Sequence, residues 1–467
     1  MMTAMDGPTL STWTPQDLRE PRVRVGVVLP ADRMHAIRMV LPAAPCRILL
    51  DGREVGATVA GEAEVRADEA GVILEGAKGR IGPGTVLALE PARHRRLRHG
   101  EGVELRGLIT GRGFHWQKRV ALTLPGALEF HPADEGLLVV NVLPLEDYLA
   151  CVLTSEMSGA CPLEFLKSQV LVARSWVLVH SEDKHPGLPI DRCNDDCCQR
   201  YQGTSFLTDS AVLAVAGTRG RVICHSGGGI LDANYSKSCG GVIEAPEFLW
   251  GAPKPGQRAA VDAPPAAPEH RFLPVTEANL AEYLAGDWIR RSEVYCSPSV
   301  VPEETLPRYL GGVDEGGAYF RWKLRHRRED LERLLRKKVL ARRPHGQAPL
   351  ERLTALRPLR RGRSGRVIEL EVGYLDPQGR PAVLVIHDQY HIRDALHEKF
   401  LFSSAFAVEA EPDGRGGVAA FTLTGAGWGH GAGLCQIGAL GMALRGHDAE
   451  AIIHHYFDGV VMRACYP

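Results

Sequence analysis

An α+β fold is predicted, with a β-rich N-terminal part, a mixed core of short helices and strands, and an inserted lobe. Three observations carry it. Short β-branched runs separated by Gly, Pro and Asp turns extend to about residue 143, helical periodicity begins abruptly at Pro144, and a Pro/Ala-rich stretch at 251–270 interrupts the mixed helix-and-strand region. The chain has 467 residues, 45% of them hydrophobic and 24% charged, with 51 Gly and 31 Pro, which suits a globular protein of two or three domains. Lys and Arg (55) balance Asp and Glu (56) to a net charge of -1, so no overall field favours nucleic acid, a membrane surface or a polyanion. Of the 11 Cys, Cys46, Cys151, Cys161, Cys224, Cys239, Cys296, Cys435 and Cys465 stand singly, which argues for reduced thiols and against a disulfide framework.

Residues 1–20 are polar with turn formers and read as a tail. The β-rich region, 21–143, contains VRVGVVL, CRILLDG, GVILEGA, TVLALE, VELRGLIT and LLVVNVL. The first half of the core, 144–250, opens with an amphipathic helix to about 156, where Leu145, Tyr148, Leu149, Val152 and Leu153 share a stripe. Pro162 starts a second helix that is apolar on more than one face. The insertion is placed at 251–360, and its segment 321–343, with Leu331, Leu334, Leu335 and Val339 at helical spacing, reads as one basic amphipathic helix. The second half of the core, 361–467, returns to strands and ends in a Gly-rich stretch leading into a helix at 436–445. No 18-residue apolar run occurs, so no transmembrane segment is expected; without a basic and apolar leader at the start, the expected compartment is the cytoplasm.

Four places could carry chemistry. Glu156 continues the stripe of the first helix and points a carboxyl inward, where desolvation would raise its pKa toward that of a general acid; alternatively it caps a neighbouring segment or pairs with Arg174. Cys193, Cys197 and Cys198 with His185 upstream could close a tetrahedral zinc site or be free thiols in a surface loop, with Asp195 and Asp196 poorer ligands. Gly427, Gly429, Gly431 and Gly433 alternate with Trp428, His430 and Ala432, which suits an extended segment bare on one side or a tightly packed turn. In the first case Trp428 stacks on a sugar while His430 and Gln436 hydrogen-bond to it. The turn Ser236–Gly241 holds Cys239, a possible nucleophile with no evident His/Asp order around it.

The stretches NVLPLEDYLACVLTSEMSGACPLEFLKSQVLVARSWVL, CNDDCCQRYQG, ANYSKSCGG and GWGHGAGLCQIGALGMA, in that order between roughly 140 and 460, resemble the successive signatures of the stage II sporulation protein D family, whose domain is shared with amidase enhancers of the LytB type. The resemblance implies a bacterial cell-wall protein acting on peptidoglycan glycan strands. Its best-understood form is a lytic transglycosylase that cleaves strands stripped of stem peptides and leaves 1,6-anhydro ends. The glutamate of the family's Ser-Glu-Met motif falls on Glu156. One carboxyl suffices there, because the sugar's own 6-hydroxyl replaces the water or nucleophile that demands a second. The expected glycan contacts are Trp428, His430, Gln436, Ser238 and Arg174. In the family's zinc loop, Cys197 stands where His is expected, while Cys193, Cys198 and Gln199 match, so a structural zinc on three Cys plus His185 is implied. The enhancer branch implies the alternative, a non-catalytic glycan binder that stimulates a partner amidase. The family also implies an extracytoplasmic location, against the missing leader.

Overall fold

The computed structural model describes residues 8–14, 17–77, 79–92, 96–114, 117–179, 184–312, 317–342 and 348–467. It is an α+β fold. Two antiparallel sheets make up the N-terminal region. The first takes the order Arg22–Val28, Gly136–Pro144, Ala127–Ala133, Leu87–Pro91, Cys46–Leu50 and Arg53–Ala57; the second comprises Lys118–Leu124, Val103–Thr110, Ala36–Leu41, Gly61–Asp68, Gly71–Gly76 and Gly79–Gly84. Gly136–Pro144 is paired on both edges and buried along nearly its whole length, as its unbroken apolar run LLVVNVL requires. It runs without a linker into helix α1 (Leu145–Glu156), and one continuous hydrophobic cluster joins the sheets to the helices behind them. The 143/144 boundary therefore marks a change of secondary structure and leaves the core undivided.

Every residue of α1 except Asp147 is buried, so the amphipathic helix of the sequence reading is enclosed on all sides. Its polar residues are matched from within. Glu146 forms a buried ion pair with Arg174 of helix α2 (Leu163–Val179), at 2.6 Å, and also accepts from the Tyr466 hydroxyl. The segment expected as a tail is anchored over residues 8–14: Leu10 is fully buried, and Trp13 packs edge-on against Tyr466 with ring centroids 6.4 Å apart. Residues 1–7 lie outside the described part.

The inserted lobe differs from the reading in two respects. Residues from the first part of the proposed 251–360 segment, including Phe272, Tyr283, Tyr295 and Cys296, belong to the main cluster, and Ala260–Val261 pairs with Val242–Ile243. A separate cluster draws only on residues between Trp322 and Leu423. A boundary at 360 would cut the hairpin Arg352–Arg361/Val367–Leu375, whose strands share that second cluster. The basic run at 321–343 is also split. Arg321–Arg327 is a strand paired with Val418–Ala426, Arg328–Lys338 is an α-helix with Leu331 and Leu335 turned into the second cluster, and Leu340–Arg342 is a short 3-10 turn. Alternation of polar and apolar residues in RWKLRHR matches period two better than 3.6, which is why it joins the sheet.

Candidate functional site

Glu156 ends α1, with 7% of its surface exposed. Three segments converge on it. Its Oε1 accepts from the Arg200 backbone N–H (3.1 Å) and the Tyr235 hydroxyl (3.0 Å), and its Oε2 faces the Gln436 side-chain amide at 3.4 Å. Its main-chain carbonyl accepts from the Lys237 ammonium at 2.6 Å. Burial pushes the Glu156 carboxyl above the usual range, against the lowering pull of the Arg200 and Lys237 charges. The result is a desolvated carboxyl held by polar donors, with its neutral form favoured relative to a free glutamate. Tyr235 and Gln436 arrive together because Tyr235–Ser236 and Leu434–Cys435 pair in parallel, and Cys435 caps the helix Gln436–Leu444.

Arg200 is delivered by the thiol-rich loop. Arg192–Cys193 pairs in parallel with Arg22–Val28, then Gln199 accepts from Tyr148 at 3.0 Å, and Gln202 N–H donates to the Ser155 hydroxyl at 3.0 Å. Within the loop Cys193 Sγ lies 3.0 Å from Cys197 Sγ, and His185 Nε2 lies 3.6 Å from Cys198 Sγ. The four ligand atoms of His185, Cys193, Cys197 and Cys198 lie within 4.8 Å of one another. Three thiols and an imidazole gathered in this way form a group that could hold a metal ion. Hydrogen bonds from Cys193, Cys197 and His185 pull the Cys198 thiol well below its usual range, so one thiolate is favoured before any cation is considered. Asp195 and Asp196 are engaged elsewhere: Asp195 takes Arg112 and the Gly111 N–H, and Asp196 takes Arg200.

The expected glycan contacts separate. Gln436 reaches Glu156, as described. Arg174 does not: it is fully buried, and its carboxylate partner is Glu146, because α2 places it beside the start of α1 and away from its end. Ser238 is also fully buried, its backbone bridging Trp428 and its hydroxyl accepting from Gly240 N–H at 3.3 Å, so it cannot meet a strand from solvent. Trp428 is partly exposed, but Phe402 stacks on it at 4.4 Å and Tyr319 leans on it at 4.6 Å. His430 packs edge-on to Trp250 at 5.2 Å; burial and the Arg366 and Arg393 charges hold it down to about 3, hence neutral at ordinary pH.

The four alternating glycines all have positive φ, between 67° and 95°, which agrees with the tightly packed turn and not with the extended segment, the two alternatives the sequence left open. The protein itself occupies the bare backbone. A Cβ at Gly431 would stand 2.2 Å from the Arg366 guanidinium, and one at Gly433 would stand 2.0 Å from the Asn234 carbonyl. Sequence reasoning missed Tyr235, Lys237 and Arg200. The first two lie in the quoted ANYSKSCGG and the third in CNDDCCQRYQG, so their nearness to family motifs was the available signal. It also missed a wall of the site, where Ser158 N–H donates to Tyr309 O at 2.8 Å and Leu310 bridges Met157.

Residues 133–225 match the model of the stage II sporulation protein family. Residues 290–433 match a domain of unknown function, which takes in the second hydrophobic cluster. The chain is similar to an uncharacterized protein of Brachyspira hyodysenteriae, 25% identical over 335 residues that cover 72% of this chain and 71% of that one. The match over 133–225 supports a cell-wall-related function. Among the described residues no helix is long and apolar enough to cross a membrane.

Proposed function

We propose that the protein is a peptidoglycan lytic transglycosylase acting on peptide-free glycan strands, with Glu156 as its acid and base. The observation that carries this is the Glu156 environment: a carboxyl with a raised pKa, fixed by Arg200, Tyr235 and Gln436. Protonated Glu156 gives its proton to the glycosidic oxygen as the bond from that oxygen to C1 breaks. The 6-hydroxyl of the same sugar then bonds to C1, and its proton passes to the Glu156 carboxylate, restoring the acid. No water is consumed and no second carboxylate is required, in contrast to ordinary glycosidases. Gln436 and the Tyr235 hydroxyl orient the carboxyl, and the Lys237 ammonium holds the carbonyl behind it. His185, Cys193, Cys197 and Cys198 would hold zinc, which supplies rigidity to the loop ending at Arg200 and takes no part in bond breaking.

One observation favours a second reading, a non-catalytic glycan binder that stimulates a partner amidase. Both Glu156 oxygens already have donors, and little of the residue is exposed. The decisive measurement is mass spectrometry of products from peptide-free strands incubated with the protein and with Glu156→Gln. New 1,6-anhydro ends from the unaltered protein, lost by at least about 10³-fold in the variant with strand binding retained, support the lyase. Absence of cleavage by both, with an amidase stimulated equally by both, overturns it.

A further inference from the structure

A second cluster of metal-ligating side chains lies away from the loop. The ligand atoms of Cys239, Asp262, Cys296 and Cys435 lie within 4.8 Å of one another, and all four residues are buried. Cys239 Sγ is 3.6 Å from Cys296 Sγ and 3.4 Å from Asp262 Oδ2. Tetrahedral zinc with Zn–S of about 2.3 Å and Zn–O of about 2.0 Å demands S···S and S···O separations of about 3.8 and 3.5 Å. The backbone is arranged for thiolates as well: the N–H groups of Cys239 and Gly438 point at Cys435 Sγ at 3.2 and 3.3 Å, and that of Gly241 points at Cys239 Sγ at 3.4 Å. The remaining oxygen of Asp262 accepts from the Tyr456 hydroxyl at 2.8 Å and lies 3.2 Å from His455 Nε2, the outer support that fixes a ligating carboxylate.

Two further features fit a bound cation and its thiolates better than three neutral thiols. Gly438 leaves the carboxylate its room, since a Cβ there would stand 2.2 Å from Asp262 Oδ2. Arg321 and Arg366 both flank the cluster through the backbone of the Cys239–Gly240 turn, Arg321 donating to Gly240 O at 2.7 Å and Arg366 approaching Cys239 O at 3.4 Å. Arg366 also donates to the Ser364 hydroxyl at 2.9 Å and, against the raising effect of burial, draws down the Glu244 carboxyl, so its charge is shared between Glu244 and the cluster. Three thiolates and a carboxylate around a divalent ion carry two net negative charges, which the nearby Arg321 and Arg366 guanidiniums would offset in part.

We propose that Cys239, Asp262, Cys296 and Cys435 form a second, fully protein-ligated site for zinc, a structural clamp distinct from the 185–198 loop. Binding of Zn²⁺ releases the three thiol protons to solvent and forms three Zn–S bonds and one Zn–O bond, with no change of oxidation state. The clamp ties together the turn after Tyr235–Ser236, the residue after Ala260–Val261, the 292–301 segment and the cap of Gln436–Leu444. Soft thiolates select zinc over magnesium or calcium, and the sulfur spacing is too short for the corners of an iron–sulfur cube.

The test is metal stoichiometry of the full chain purified under reducing conditions with zinc present, read by elemental analysis alongside a count of free thiols. Two zinc ions per chain are expected, with one lost in Cys296→Ser, the other lost in Cys198→Ser, and both lost in the double variant. A single ion that Cys198→Ser removes and Cys296→Ser leaves would overturn the proposal, as would a Cys239–Cys296 disulfide in the protein so purified. Should Cys296→Ser fail to fold, Co²⁺ titration of the unaltered chain decides. Two thiolate-to-cobalt absorption steps support the clamp, whereas a single step that persists in Asp262→Asn and vanishes in Cys198→Ser refutes it.

Discussion

The two thiol clusters have nearly the same donors and opposite origins. The loop cluster takes its four ligands from 185–198 and leaves Cys197 exposed, whereas the other takes its ligands from 239, 262, 296 and 435 and leaves none. The loop is local chemistry, closed by one segment upon itself. The buried cluster exists only when four distant segments have packed, so it reports on the tertiary fold. A ligand set confined to one loop can be gained or lost without disturbing the core, while a dispersed one is part of the core.

That contrast can be broken in three ways. The largest effect is expected on stability. Cys296→Ser, which unties four segments, should lower the unfolding free energy by about 3–5 kcal/mol, read as a fall in the thermal midpoint, and Cys198→Ser by clearly less. Equal losses would mean the clusters do the same structural job. Next in size is catalysis: Cys198→Ser should slow strand cleavage by about 10–100-fold, because the loop it frees ends in the Arg200 N–H that holds Glu156. Unchanged turnover after loss of the loop metal would remove the loop from the mechanism. The smallest effect is a displaced pH limb. Glu156 must be protonated to act as acid, so activity should fall as pH rises through its raised pKa. Tyr235 donates to and thereby stabilises the carboxylate; Tyr235→Phe should raise that pKa further and move the limb toward alkaline pH by about one unit. A limb that stays in place would detach Tyr235 from the carboxyl.

Legibility followed the same division. Glu156 was visible because a carboxyl continued an apolar stripe, and the loop ligands because they sit close together in sequence. Cys239, Cys296 and Cys435 each stood alone and read as ordinary reduced thiols, since nothing in spacing foretells that a turn, a loop and a helix cap will meet. Arg174 was a plausible partner for Glu156 by charge alone, yet the crossing of α1 and α2 gives it to Glu146. The alternating glycines carried the message of close approach and left the conformation open, because period two belongs equally to a strand and to glycines of positive φ in a packed turn. The α+β class and the first two helices were plain, whereas the organisation of 251–360 was hidden, because its early part shares the main core.

The last strand of the core has a consequence for the order in which the molecule can be assembled. Val460–Ala464 pairs with Arg221–His225, Tyr466 closes the Glu146–Arg174 pair, and Gln436 completes the Glu156 pocket. During synthesis, α2 and its apolar faces leave the ribosome long before these partners, with the whole second cluster still to be made in between. The segments that close the core around α1 and α2 are therefore made only after the residues of the second cluster, so the core around Glu146 and Glu156 stays open while that intervening stretch is synthesised.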